Sequence, residues 1–417
     1  MAAVWWRIAW RNLWRHGRRT VITALALAFG FLAAVFMVGL TDGIIAEMVE
    51  TGTAVISGQI QAHDPGYLPD RPVYATIGGD AGVDVSALVT RIESVPGVVA
   101  AAPRLYGGGL LSAADQTQGA MLMGVDPERD ARVVQLLSSM TEGRAPQSGA
   151  TEIAIGSDLA HRLDVGPGAE LVVVTPASDG SLGNDLFTVS GVFHTGSTGL
   201  DLTTAIVPID ALRGLLALEP GRVHEIAIRV SDPWAADSIA ATIRARAGDD
   251  PPLAVAGWTE YRPELAEYVR LAGASNFIIV GIVFIMAIFG VANTMLMGTY
   301  ERRREFAVVR ALGSSPGGII RTVVFEAVIL GAIALLAGAA MTAPLVAWIS
   351  RHPIDLSRFV GDFSMAGALV RPVLRVDVDL AGPLTSAVAL FLTALGAAVY
   401  PALRASRVPP ADALAGR

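Results

Sequence analysis

The 417-residue chain has no cysteine, and all of the 31 residues counted as Lys or Arg are Arg. Without cysteine there is no disulfide framework, thiolate nucleophile or Cys-ligated metal. Without lysine there is no Walker A loop, whose Lys must reach the nucleotide phosphates, so a standard ATP-binding P-loop is excluded. Charge is scarce as well: 17% of residues are charged, against about 25% in an average soluble chain. The shortage is concentrated in four apolar stretches, and the remainder has the composition of a soluble domain. Clustering of this kind marks membrane spans.

Catalytic patterns are also missing. His16, His63, His161, His194, His224 and His352 form no HExxH pair and no short metal-ligand cluster. His194 and His224 stand beside strand-like runs and can meet in space, although a lone histidine at a strand end is the commoner case. Ser157 and Ser197 lack a G-x-S-x-G elbow. Gly107-Gly108-Gly109 is followed by no basic residue or helix pattern, so it reads as a turn rather than a phosphate cradle. The expectation is no catalytic, cofactor-binding or metal residue.

What is present is hydrophobic length. Apolar runs at 20–40, 277–297, 319–340 and 380–399 each cover a hydrocarbon core of about 30 Å at 1.5 Å per residue. They predict spans at 20–43, 271–300, 319–346 and 380–403. The first run is longer than a signal-peptide core and lacks a small-residue cleavage site, so it is read as uncleaved. Gly281, Gly290, Gly331 and Gly338 inside the runs favour close helix contact in lipid.

Arginine sets the topology. Arg7, Arg11, Arg15, Arg18 and Arg19 precede the first span, Arg302, Arg303, Arg304 and Arg310 follow the second, and Arg404, Arg407 and Arg417 close the chain. All three groups fall on the cytoplasmic side if both termini lie there. The long segment after the first span then faces outward; residues 44–268 hold 29 acidic residues and 13 Arg.

Residues 1–19 interleave Trp5, Trp6, Trp10 and Trp14 with Arg7, Arg11 and Arg15 at near-helical spacing. That suits an amphipathic helix at the headgroup boundary, or equally an aromatic and basic anchor for the first span, and it points to lipid rather than nucleic acid. Residues 44–270 read as a mixed α/β domain. Strand-like runs lie at 54–60, 119–124, 170–174, 186–192, 205–207 and 225–230, with helices at 85–92, 131–140, 157–163, 209–216 and 235–247. A division near 143–150 and a long helix from 259 into the second span are also expected. Residues 347–379 form an external loop containing Arg351, His352, Arg358, Arg371 and Arg375, and 404–417 a cytoplasmic tail.

The segment 301–318 is the candidate site. Glu301, Arg302, Arg303, Arg304, Glu305 and Arg310 are charged, while Phe306, Val308, Val309 and Leu312 supply an apolar face. Gly313 suits a helix C′ position, and Ser315-Pro316 an N-cap and first turn. On physics alone this is either a force-transmitting helix or a positive-inside loop with a tidy turn.

The run Glu301-Arg302-Arg303-Arg304-Glu305-Phe306-Ala307-Val308-Val309-Arg310-Ala311-Leu312-Gly313, continued by Phe325-Glu326-Ala327, resembles the signature of the FtsX-like ABC permease superfamily. Ala9-Trp10-Arg11-Asn12-Leu13-Trp14-Arg15-His16, Tyr400-Pro401-Ala402-Leu403-Arg404-Ala405-Ser406-Arg407, Pro410-Ala411-Asp412-Ala413-Leu414 and Phe187-Thr188-Val189-Ser190-Gly191-Val192-Phe193-His194-Thr195-Gly196 are similar to its other boxes. The resemblance implies a type VII ABC permease-like fold: four transmembrane helices and a large periplasmic α/β domain between the first and second. It implies a bacterial inner-membrane subunit paired with a second permease above a cytoplasmic ABC ATPase dimer, which binds the ATP and Mg. It makes 301–318 the coupling element, with Glu301, Arg302, Arg304, Glu305, Phe306, Val309, Arg310, Leu312, Gly313 and Pro316 as ATPase-coupling residues.

The layout is most similar to lipoprotein-releasing permeases of the Lol system, which hand cargo to a periplasmic carrier. Phe31, Phe36, Met37, Phe277 and Ile278, near the outer span ends, are then candidate acyl-chain contacts, with ordinary lipid-facing or packing roles as the alternative. Two other readings stay open: a mechanotransmission subunit of a tripartite efflux pump working through an adaptor, and a scaffold regulating cell-wall hydrolases. The loop at 347–379 is long for a Lol-type permease.

Overall fold

The structure is a computed structural model that describes residues 2–15, 17–78, 83–247, 252–355, 363–365, 368–370, 373–376 and 381–408. It contains two compact units: Met1–Ile45 with Arg270–Leu356 and Val373–Arg417, and Ala46–Val269 with Ser357–Pro372. The chain opens with α1 (Ala2–Arg15), α2 (Gly17–Ala54), β1 (Ile60–His63), α3 (Val85–Glu93), β2 (Val98–Ala113), β3 (Gln116–Val125), α4 (Pro127–Val133) and β4 (Met140–Gly143). Next come β5 (Glu152–Gly156), α5 (Ser157–Leu163), β6 (Glu170–Pro176), β7 (Leu182–Phe193), α6 (Thr198–Thr203), β8 (Thr204–Pro208) and α7 (Ile209–Leu215). Then follow β9 (Glu225–Val230), α8 (Ala236–Ala247), β10 (Ala254–Gly257), α9 (Trp258–Tyr261), α10 (Pro263–Glu301), α11 (Arg303–Ala311) and α12 (Pro316–Arg351). The short strands β11 (Ile354–Asp355), β12 (Phe363–Met365), β13 (Ala368–Val370) and β14 (Val373–Leu374) precede α13 (Ala381–Ser406).

In the first unit four helices are long and apolar enough to cross a membrane: α2, α10, α12 and most of α13. They pack through Leu27, Phe31 and Val35 of α2, Phe284 and Val291 of α10, Leu330 and Ala334 of α12, and Leu390 and Ala394 of α13. Gly331 lies against Ala394 and Phe391, and Gly338 against Phe31; both let helix surfaces meet where lipid offers little other driving force. Gly281 and Gly290 make no such contact within the chain: among the described residues nothing lies within 4 Å of where their side chains would begin. They sit on α10, which leaves Phe277, Ile282, Ile285, Met286 and Phe289 exposed.

The helices outrun the apolar stretches. Hydropathy reports lipid contact, whereas a helix continues as long as its backbone bonds do. In α2, Thr51 and Thr53 bond back to the Glu47 and Val49 carbonyls. The strand expected at 54–60 is therefore the end of α2 and a turn, and β1 begins at Ile60. Residues 17–19 belong to α2 rather than to the surface helix. The helix expected from 259 is broken: Pro263 offers no backbone N–H and restricts Arg262, so α9 stops and α10 starts anew. Much of the loop at 347–379 and the tail beyond 408 lie outside the described residues.

The second unit is built on one ten-stranded mixed sheet. β2 pairs with both β3 and β6, and the run β3–β8–β5–β7–β6 returns to β2, closing a ring of six strands. Leu105, Leu122, Ile155, Leu171, Phe187 and Val207 pack in its core with Leu159, Leu212 and Leu216. β9, β1 and β10 extend the sheet from the edge of β2 opposite β3, along its N-terminal half.

Gly107-Gly108-Gly109 is not a turn but the middle of β2. A Cβ on Gly109 would sit 2.9 Å from the Val174 carbonyl oxygen of β6, so glycine permits the close approach that helps close the ring. The helix expected at 131–140 is replaced by the end of α4, a 3₁₀ turn (Leu136–Ser138) and the start of β4. No division falls at 143–150, because β4 pairs with β7 and Arg144 holds Glu152.

Candidate functional site

α11 is a nine-residue helix between α10 and α12. Its C-terminal turn closes at Gly313, which has φ +95°, a left-handed conformation that glycine adopts without a Cβ penalty. Ser315 then caps α12, its hydroxyl accepting from the Gly318 N–H, and Pro316 is the first helical residue. The two stops are local chemistry and hold α11 on a short tether.

The apolar residues of α11 do not form one face. Phe306 is buried against Ile319, Val323, Ala402 and Ala405 of α12 and α13, and Ala307 is buried as well. Val308 and Val309 are half-exposed, and Leu312 is 84% exposed. At about 100° per residue, Val308, Leu312 and Glu305 lie about 100° or more around the helix from Phe306, with Val309 at the edge of that side, about 60° from Phe306. The helix therefore has one face seated on the spans and a second apolar face free.

Ion pairs tie the helix to its neighbours. Arg302 donates to Glu326 of α12 at 2.8 Å and approaches Glu305 at 3.4 Å, and its guanidinium lies 4.9 Å from the Phe306 ring centroid. Asn12 of α1 donates to the same Glu326 oxygen at 2.8 Å. Arg15 reaches Glu305 at 2.9 Å and Arg19 reaches Glu301 at 3.1 Å. Arg310 donates to the Ser406 carbonyl at 3.2 Å, while Arg304 is exposed. Glu326, quoted above only within a motif, is thus the shared acceptor of α1 and α11.

α1 buries Ala9 and leaves Trp6, Trp10 and Trp14 about half exposed, with Arg7 and Arg11 beside them in solvent. Trp6 stacks edge-on against Phe325 of α12 at 6.3 Å, and Trp10 against Trp14 at 5.9 Å. The side chain of Trp5 lies outside the described residues. Of the acyl-contact candidates, Phe277 and Ile278 are exposed, Met37 partly so and Phe36 intermediate. Phe31 is buried, 4% exposed, against Gly338; it turns inward because the glycine opposite leaves space for a ring.

The α/β domain carries a polar cluster that the strand patterns did not reveal. Arg104 of β2 is fully buried, donates to Asp130 at 2.6 Å and to the Ile56 carbonyl, and lies 3.7 Å from Glu225. Tyr106 donates to Glu225 at 2.9 Å, and His63 approaches it at 3.4 Å. His63, Tyr67 and His224 form a three-ring stack. Burial alone would raise Glu225, but the His63 hydrogen bond, Arg104 and Tyr106 together hold it below the usual carboxylate range. Burial pushes Asp130 up despite Arg104, and lowers His224. His224 accepts the Tyr106 N–H at Nδ1 and donates from Nε2 to the Val73 carbonyl, so its neutral form is the one the fold holds. His194 does not meet His224: it contacts Ser157 at 3.0 Å and Asp201 at 2.9 Å, both through Nδ1.

Two family models cover this architecture: a MacB-like periplasmic core domain over residues 20–246 and an FtsX-like permease C-terminal region over residues 277–410. The chain belongs to the FtsX-like ABC permease family, with a MacB-like periplasmic core domain. It is 27% identical to the lipoprotein-releasing system transmembrane protein LolC of Neisseria meningitidis serogroup B over 396 residues, covering 92% of this chain and 94% of that protein. LolC of Xylella fastidiosa is 23% identical, with the same coverage. LolE of Haemophilus influenzae is 19% identical over 78% of this chain and 80% of its own length. This FtsX-like permease is an inner-membrane protein, and its inserted α/β unit is the periplasmic core domain. α11 lies within the permease C-terminal match.

Proposed function

We propose that this permease is the transmembrane subunit of a lipoprotein-releasing ABC complex, driven by an ATPase on a separate chain. The observation that carries the reading is the free apolar face of α11, Val308, Val309 and Leu312, on a helix tied to the spans through Arg302 and Glu326. An apolar face that the described residues leave uncovered suits a partner of the same kind. The arginine bias supports the matching orientation, with both termini and α11 cytoplasmic.

The ATPase dimer, carrying ATP and Mg, docks on that face, and a second permease subunit completes the membrane assembly. Closing of the ATPase displaces α11. The Glu305–Arg15, Arg302–Glu326 and Arg310–Ser406 contacts pass the displacement to α1, α12 and α13, and the periplasmic core domain moves in response. Glu301, Arg304, Gly313 and Pro316 shape the edges and tether of the contact.

Lipoprotein cargo is supported by the names of the LolC and LolE relatives. Each acyl CH₂ leaving a bilayer costs about 0.8 kcal/mol, so several chains leave only with an energy source. Phe36, Met37, Phe277 and Ile278 are the acyl contacts in this reading, and a periplasmic carrier receives the cargo. Proteoliposomes containing the permeases and ATPase should release a triacylated protein to a soluble carrier when ATP is added. A complex that releases none, but binds a periplasmic adaptor and confers drug resistance, would transfer the assignment to efflux.

A further inference from the structure

At the end of the spans that bears α11, several arginines already have partners. Arg15, Arg19 and Arg302 each hold a carboxylate, and Arg310 holds a carbonyl. Arg303, Arg404 and Arg407 instead line one cavity of about 270 Å³, together with Thr299 and Tyr300 and with no acidic residue among the described residues of its wall. Arg404 engages Tyr300, whereas Arg303 and Arg407 have no ion pair or side-chain hydrogen bond among the described residues. Three guanidiniums around one space repel one another until an anion sits between them, and their planar forks match a phosphate. One water occupies about 30 Å³, so the cavity has room for a phosphate group with some of its hydration.

The surroundings favour a lipid phosphate over a free one. Val399, Tyr400 and Leu403 continue the α13 face that leads to Arg407, and all three are exposed, at 52%, 60% and 43%. An exposed aromatic and aliphatic strip beside a basic pocket at a span end offers an acyl chain a wall and its headgroup a seat. We propose that Arg303, Arg404 and Arg407 bind the phosphate of an anionic phospholipid, whose acyl chains run along Tyr400 and Leu403. The site is independent of the cargo and of how the complex is powered.

Native mass spectrometry of the full chain, released from nanodiscs of mixed phosphatidylglycerol and phosphatidylcholine, reads the site directly. The protein should retain phosphatidylglycerol in preference to phosphatidylcholine. Each arginine near an anionic headgroup contributes on the order of fivefold in affinity, so R303Q/R407Q should weaken phosphatidylglycerol binding about 25-fold. R303K/R407K keeps the charge but not the planar fork and should recover part of the affinity, which separates a lost site from a damaged fold. R18Q/R321Q, which removes two exposed arginines elsewhere, should have a much smaller effect. Equal retention of the two lipids, or an equal loss in R18Q/R321Q, would overturn the proposal. So would competition by inorganic phosphate as strong as by phosphatidylglycerol, or unchanged lipid binding in R303Q/R407Q with loss of a protein partner.

Discussion

The two faces of α11 give one helix two separable phenotypes, and Leu312→Ala is the sharpest way to separate them. Leu312 is 84% exposed, so it contributes almost nothing to packing within its own chain. An exposed substitution away from special features stays within about 0.5 kcal/mol, and thermal stability in detergent should be unchanged. On a docked ATPase the same side chain becomes buried. Losing about three carbons at about 0.8 kcal/mol each, mostly from newly buried surface, weakens the contact by about 2 kcal/mol. That is about 30-fold in affinity.

Phe306→Ala should behave in the opposite way. Phe306 is 5% exposed among Ile319, Val323, Ala402 and Ala405, and truncating a buried Phe costs about 3–5 kcal/mol. The assay is titration of purified ATPase onto the permease in nanodiscs, read as affinity and as stimulated ATP turnover, alongside a melting curve of the permease alone. An affinity for Leu312→Ala within twofold of wild type, with wild-type turnover, would show that the free face is not the ATPase contact and would refute the docking argument. A destabilised Leu312→Ala would refute the assignment of faces itself.

Other consequences follow from buried charge and close packing. Arg104→Ala strands the Asp130 and Glu225 carboxylates in the core and should cost about 3–5 kcal/mol, read as a fall in melting temperature of the whole chain. Gly338→Ala places a Cβ 2.9 Å from Phe31 Cδ1 and should destabilise the spans by about 1–3 kcal/mol; adding Phe31→Leu should restore part of the loss. His224 is held neutral below its ordinary value of 6.5, so its contribution is fully present above that value and is lost as pH falls through the lowered one. Asp130, raised by burial, acts in the opposite sense at acid pH. His224→Gln can accept and donate as the neutral ring does but cannot titrate. The variant should therefore lose less stability than wild type between pH 6.5 and 5, and identical slopes in melts across that range would remove His224 as the source.

What could be seen in the residues and what could not divides by the range of the cause. The spans were legible because lipid contact demands an unbroken apolar run. The caps around α11 were legible because Gly313, Ser315 and Pro316 act within a few positions of themselves. β2 was misread at its centre because three glycines signal a turn locally, while the reason for them is β6, whose Val174 approaches from 65 residues away in sequence. Arg104 gave no signal, since an isolated arginine reads as surface, and its burial depends on Asp130, on Glu225 and on the Ile56 carbonyl.

Glu326 shows how a local cost points to a distant partner. Ten residues past the start of α12, inside an apolar run, a carboxylate is expensive unless something neutralises it. The cost is legible from its position alone, but the partners are not. Asn12 comes from α1 and Arg302 from the junction before α11, and both reach the same Glu326 oxygen at 2.8 Å. One partner belongs to the helix that carries the Trp and Arg pairs of the membrane surface; the other is the N-cap of the helix with the free apolar face. A shift of α11 that pulls Arg302 away leaves Glu326 with a neutral amide as its remaining side-chain partner in a site only 11% exposed. The buried charge therefore opposes independent movement of α1, α11 and α12 at this end of the spans, and favours their moving together.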